Sequence, residues 1–230
     1  MSSSATNRKN STEAGFTLVE IAIVLVIIGL LLGGILKGQE MITQAKIKNI
    51  VNDFNGVTVA VTSYQDRYRA IPGDDRNADT RWTVQAPAKG DGNGVIAGKY
   101  NATVAGPGAP ATTEESNLFW QHLRIAGFVP GVTTGAGSGT QPLNAAGGFI
   151  GVEAGTGTTG LGFTGLIICF ANLPEKVASA VDGQMDDGNP ATGQVRAQKQ
   201  TNANEATIAA PNATAYVETG VNQYLMCKNY

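Results

Sequence analysis

The chain is short of charge, of histidine and of strong catalytic groupings. Only 15% of its 230 residues are Asp, Glu, Lys or Arg, where about 25% is usual for a soluble domain. Sixteen bases against 18 acids leave a net charge of −2. That balance excludes a nucleic-acid binder that works through a strongly basic surface. The single histidine, His122, excludes a multi-histidine metal centre. The 30 glycines have no three-residue period, which excludes a collagen-like chain. A 42% hydrophobic content with so small a net charge excludes wholesale disorder. No nucleophile, base and orienting group stand together as a triad would, so the chain reads as a non-enzyme.

What is present is unevenly distributed. Residues 1–15 are small and polar, with Arg8 and Lys9 as their only bases. From Phe16 to Leu36 only Glu20 is charged. At about 1.5 Å per residue this run spans roughly 30 Å, the thickness of a bilayer core, and predicts a transmembrane helix. A secretory signal peptide would place an A-x-A-like cleavage site after its apolar region. Here Gly33-Gly34-Ile35-Leu36-Lys37-Gly38 offers none. The small residue placed for cleavage is Gly15, ahead of the run, so processing there would keep the hydrophobic helix.

A carboxylate within an apolar helix costs a few kcal/mol on insertion scales and usually faces a partner. Glu20 has two readings. It lies near the helix start, where an acid suits the helix dipole. Alternatively it awaits a cation, and cleavage after Gly15 would create one, the new α-amino group of Phe16 on a neighbouring subunit.

Gly15-Phe16-Thr17-Leu18-Val19-Glu20, followed at once by the long apolar run and preceded by a short leader with Arg8-Lys9, resembles the prepilin cleavage and methylation motif. Type IV pilins and the pseudopilins of type II secretion carry that motif. The resemblance implies that Gly15 is the last leader residue, cut by a prepilin peptidase, and that Phe16 becomes the N-methylated first residue. It implies that Thr17, Leu18 and Val19 complete the recognised segment. Glu20 would pair with the Phe16 amine of an adjacent subunit. It further implies a precursor held once in the inner membrane, an inner-membrane assembly platform as partner, and a filament made of copies of the chain.

After Lys37 the apolar positions are Ile47, Ile50, Val51, Phe54, Val57, Val61, Tyr64 and Tyr68. Their spacing of three and four makes one helical stripe. Ile71-Pro72-Gly73 stops the helix. A helix from Phe16 to about Ala70 would be roughly 80 Å long, apolar all round at first and one-sided later. Gly29, Gly33, Gly34 and Gly38 suit close packing between apolar helices, or a segment that loosens outside the bilayer. The organisation expected is a leader (1–15), an assembly helix (16–70, with 16–36 in the membrane) and a head (71–230).

In the head, Thr112 to Glu115 reads as a capping box for a helix that Gly127 closes. Pro174–Val181 reads as a second helix. Strands are expected at Phe149–Val152, Gly162–Phe170, Ala206–Ala209 and Gln223–Cys227. The fold class is therefore α+β, with an antiparallel sheet packed on the long helix. The resemblance implies the same pilin-like architecture.

Cys169 and Cys227 are the only cysteines. Outside the cytoplasm they would pair, and otherwise they are two buried thiols. Type IV pilins, which the chain resembles, close a C-terminal loop with a disulfide, whereas major pseudopilins generally lack it. Acids gather in Asp74-Asp75 with Asp79, and in Asp182 with Asp186-Asp187. Asp91 and Asn93 begin an EF-hand-like loop that fails at Val95 and Ala102. Solvated turns are the reading adopted for all of these, with Asp91, Asn93, Asp186 and Asp187 as calcium candidates. No other cofactor is indicated.

Gly155 to Gly160 matches G-x-G-x-x-G, but it precedes a strand and not a helix, so a phosphate site is not expected. His122 reads as a surface or packing residue of its helix. Asn101-Ala-Thr103 and Asn212-Ala-Thr214 match a glycosylation sequon that belongs to eukaryotic secretion. Arg76, Arg81, Lys89 and Lys99 are interleaved with acids, so a nucleic-acid patch is not indicated. The function expected is a structural subunit of a type IV pilus-like filament, serving adhesion, motility or DNA uptake outside the cell. The alternatives are a pseudopilin in a periplasmic piston filament, and a single-span anchor that presents an adhesive or ligand-binding domain.

Overall fold

The computed structural model describes residues 17–103, 114–207, 210–211 and 215–230. It divides into two compact units, one ending at Ile42 and the other running Thr43–Tyr230. Helix α1 spans Leu18–Tyr68.

In the first unit every residue from Thr17 to Lys37 is exposed, and the segment is long and apolar enough to cross a membrane. An apolar helix with no protein around it needs lipid or other apolar helices as its surroundings. The helix continues unbroken through Gly29, Gly33, Gly34 and Gly38.

The second unit is built on the rest of α1. The helix buries Ile47, Ile50, Phe54, Val57, Ala60, Val61 and Tyr64, with Val51 and Tyr68 at the margin of the core. This is the stripe that the three–four spacing predicts. Each fully buried large apolar side chain contributes about 1.5–3 kcal/mol, so this face fixes how the head sits on its helix. The helix ends two residues before the expected Ala70. Arg69 takes a left-handed conformation (φ +56°), and its amide bonds to the Gln65 carbonyl at 2.8 Å.

Two further helices follow, α2 (Ala78–Arg81) and α3 (Glu115–Ile125). Thr112 and Thr113 of the expected capping box lie outside the described residues. The N-cap of α3 is Glu114, without a side-chain capping bond. Glu115 is also no cap, because its carboxylate accepts the Asp91 and Ala97 amides instead. The C-terminal signal reads as expected. Gly127 has φ +80°, and the Gly127 and Phe128 amides return to Arg124 and Leu123, the two bonds of a Schellman close.

The sheet comprises β1 (Ile150–Thr156), β2 (Thr164–Pro174), β3 (Val195–Gln200) and β4 (Gln223–Asn229), in the order β1-β2-β4-β3 with every neighbour antiparallel. Helix α4 (Glu175–Met185) follows β2 directly and runs four residues past the expected Val181. The expected strand at Ala206–Ala209 is absent at 206–207, and residues 208–209 lie outside the described set. The unexpected strand is β3, whose sequence Val-Arg-Ala-Gln-Lys-Gln is mostly polar. Its Gln198 and Gln200 are nevertheless buried, an arrangement that local hydrophobicity cannot signal.

Alternation along the strands splits the core in two. Val152, Ile168, Phe170, Val195, Ala197 and Met226 join the α1 stripe. Phe54 of α1 stacks on Phe170 with ring centroids 3.8 Å apart. On the opposite face Ile167, Cys169, Ala171, Leu225 and Cys227 pack with Tyr100, Leu161 and Phe163. The fold is thus α+β, one long N-terminal helix with an antiparallel sheet on its second half.

Candidate functional site

Gly15 and Phe16 lie outside the described residues. The segment just after them is well defined. The Thr17 amide and the Thr17 hydroxyl both donate to Glu20 Oε2 at 2.8 Å, and the Glu20 amide donates to Thr17 Oγ1 at 3.3 Å. Thr17 immediately precedes the first helical residue, Leu18. This reciprocal pair is a capping box. The signal, Thr-x-x-Glu before an apolar run, is present in the sequence. Leu18 and Val19 are 87% and 65% exposed, so the start of the helix presents an apolar surface beside a carboxylate held at its tip.

In the head, Cys169 and Cys227 form a disulfide. They are directly opposed residues of β2 and β4, the two central strands, and both are fully buried. The bond ties the C-terminal strand into the middle of the sheet.

The acidic turns are less solvated than the sequence suggests. Asp74 and Asp75 are 5% and 1% exposed. Asp74 Oδ1 accepts the Gly92 and Asn93 amides, and Oδ2 accepts the Gly94 amide at 2.7 Å. Glu115 Oε1 and Oε2 accept the Asp91 and Ala97 amides at 2.9 and 2.8 Å. Two buried carboxylates therefore hold the whole Asp91–Ala97 loop. Asp91 Oδ1 and Oδ2 accept from the amide and the side chain of Asn93. Backbone amides give these carboxylates their partners, which is why they can be buried.

Asp75 accepts from the Tyr64 hydroxyl at 2.7 Å, from the Arg81 guanidinium and from the Asn77 amide. Burial alone would raise its pKa, but these three donors bring it below the ordinary carboxylate value. Arg81 in turn lies over the rings of Tyr68 and Trp82 at 4.5 and 5.1 Å. With Arg81 so engaged, Lys89 paired to Asp79 at 3.4 Å and Arg76 donating to the Asp91 and Gly92 carbonyls, three of the four bases considered for a nucleic-acid patch are already in use.

His122 is a packing residue, fully buried. Its Nδ1 accepts the Gly73 amide at 3.0 Å, and its Nε2 must donate to the Ala88 carbonyl at 2.9 Å. Both bonds require the neutral ring, and burial pushes its pKa below the ordinary value.

Asp186 and Asp187 sit at the end of α4 beside Asp182. One carboxylate oxygen of each lies within 4.8 Å of the other two. The two calcium candidates of the first loop, Asp91 and Asn93, are not brought to this cluster. Gly155 and Thr156 end β1, and Gly157 to Gly160 begin the turn into β2, with no helix start to receive a phosphate.

Residues 10–36 match the prokaryotic N-terminal methylation motif. Among curated proteins none matches the chain. A solved structure, that of the major type IV pilin PilA1 from Clostridium difficile, aligns over 80% of this chain and 94% of its own, with 11% identity and a TM-score of 0.35. The chain therefore shares with the proteins that carry this motif both the motif itself, at residues 10–36, and a long apolar helix that opens within it.

Proposed function

We propose that this protein is the structural subunit of a type IV pilus-like filament, cut after Gly15, N-methylated at Phe16 and polymerised through the first half of α1. The observation that carries the reading is the methylation motif running directly into a helix whose apolar surface is exposed on every side. Such a surface is stable in a bilayer before assembly and among identical helices after it. The resident partners are then a prepilin peptidase, the inner-membrane assembly platform and further copies of the chain.

Glu20 supports this reading by its position. It is held by Thr17 at the helix tip, where its carboxylate would receive the Phe16 amine of a neighbour. Removing Phe16's leader exchanges a peptide for a cation, and only then does Glu20 gain an ionic partner. Buried ion pairs contribute register more dependably than net stability, which is what a helical polymer needs. The Cys169–Cys227 disulfide supports a head outside the cytoplasm, because it belongs in an oxidising compartment.

The test is to shear filaments from cells, purify them and determine the N-terminal residue by mass spectrometry. The expected result is surface filaments whose first residue is Phe16 carrying one methyl group. Uncleaved, monomeric protein confined to membranes would replace this reading with the single-span anchor. Processed protein that never reaches the surface would replace it with the periplasmic piston.

A further inference from the structure

A groove of about 300 Å³ opens where the second unit begins. It is lined from α1 by Thr43 and Lys46, from the junction of β2 and α4 by Pro174, Lys176 and Val177, and from the loop ahead of β4 by Asn222. Lys46 is half-buried and Lys176 is exposed. Neither is paired with an acid among the described residues. The one acid in the lining, Glu175, is buried and already engaged. Its Oε1 accepts the Gly220 amide, and its Oε2 accepts the Asn222 amide at 3.3 Å and the Thr219 hydroxyl at 3.4 Å. Glu218 belongs to the same loop but does not line the groove. The groove thus keeps two ammonium groups without a counter-charge, beside the apolar side chains of Pro174 and Val177.

Its rim is apolar as well. Val221 stands between the lining residues Gly220 and Asn222 and is 83% exposed. Met41 and Ile42, which immediately precede Thr43 in the chain, are also exposed. An apolar tip flanked by lysines suits a membrane interface, where the tip enters the headgroup layer and the lysine stems carry their charges to the phosphates. Anionic lipid headgroups attract such lysines. The chain keeps the groove close to that surface. Lys46 follows Leu36, the end of the apolar run, by ten residues, which span at most about 35 Å however they are arranged. A groove tethered in this way meets headgroups at a high effective concentration, so even a weak site is occupied.

We propose that this groove seats the headgroup of an anionic phospholipid. Lys46 and Lys176 hold the phosphate, and Val221 enters the interface beside it. The lipid fastens the head of the precursor to the bilayer, and the contact is given up when the subunit leaves for a filament. The proposal rests only on a chain held in the membrane by its apolar helix, which the pilus, piston and single-span readings share.

The experiment reconstitutes the full chain in nanodiscs of phosphatidylcholine, with or without phosphatidylglycerol, and follows the acylation of each lysine by mass spectrometry. Phosphatidylglycerol should slow the modification of Lys46 and Lys176 about threefold or more. Lys99 and Lys199, both exposed and remote from the groove lining, should react at an unchanged rate. Inorganic phosphate added to phosphatidylcholine nanodiscs should not reproduce the protection. Val221→Glu, at an exposed position, should remove the protection of both lysines, and Lys176→Gln should remove that of Lys46. Equal protection of all four lysines would reveal general attraction to a charged surface and overturn the proposal. Protection by inorganic phosphate alone would reveal a site for free anions and overturn it too. So would the absence of protection, or protection that survives both variants. None of these results alters the N-terminal mass that tests processing, so failure here leaves the filament reading standing.

Discussion

Replacing Glu20 in two different ways separates the two roles its geometry allows. Glutamine keeps an oxygen that can accept from the Thr17 amide and hydroxyl, as Glu20 Oε2 does now at 2.8 Å, and Gln is a regular member of the capping box. Glu20→Gln should therefore leave the start of α1 intact to within a few tenths of a kcal/mol. Glu20→Ala loses the cap, about 1 kcal/mol, which frays at most the first turn of a 51-residue helix. Neither change hinders membrane insertion, since both remove a charge. The charge itself is a different matter. If Glu20 pairs with the α-amino group of a neighbouring Phe16 in an apolar filament core, removing one partner leaves the other buried and uncompensated. That costs about 3–5 kcal/mol per contact, or two to almost four orders of magnitude in the association constant. Gln and Ala should then fail alike. The assay is the ratio of sheared filament to membrane pool by immunoblot, with the N-terminal mass confirming cleavage in each variant. Normal filaments from Glu20→Gln with few from Glu20→Ala would refute the pairing and leave Glu20 as a helix cap only.

Three further outcomes follow from the head. The double variant Cys169→Ala/Cys227→Ala releases a link across a sequence separation of 58; chain entropy puts the loss at about 4 kcal/mol, read by urea unfolding in detergent through Trp fluorescence, and a loss below about 1 kcal/mol would contradict it. Phe54→Ala empties a fully buried site against Phe170 and should cost about 3–5 kcal/mol, while Val59→Ala, at a position 63% exposed on the same helix, should stay within about 0.5 kcal/mol; equal effects would mean that the stripe is misplaced. Because the folded pKa of His122 lies below its ordinary value of 6.5, the unfolded chain takes up the proton first. Stability from the neutral ring is present above pH 6.5 and falls as pH drops below it, a slope that His122→Gln should flatten. The contribution of Asp75, whose folded pKa lies below its ordinary 3.8, is lost only at still lower pH, so the two windows separate in a melting-temperature profile.

Much of this protein is local and therefore readable in the chain. Helix periodicity is set within a few residues, so Ile47 to Tyr68 announced both the helix and the face it buries. The apolar run announced a helix long enough to cross a bilayer for the same reason, since hydrophobic length needs no tertiary partner to be expressed. Pairing across long separations was not readable. Strand β3 is mostly polar in composition, and only β4 beside it and the buried glutamines make it a strand. The acids show the same division. Asp74 lies 41 residues from Glu115, and Asp182 lies 34 from Tyr216, so their sequence neighbours suggested solvated turns. It is the fold that supplies amides to every oxygen of Asp74 and Glu115 and leaves one oxygen of Asp182 bare. The sequence by itself determined which segment is long and apolar enough to cross a membrane and which helical face the head covers, because those follow from hydrophobicity along one element. Tertiary structure alone decided which carboxylate oxygens find a donor and which do not, because that depends on donors brought in from distant loops.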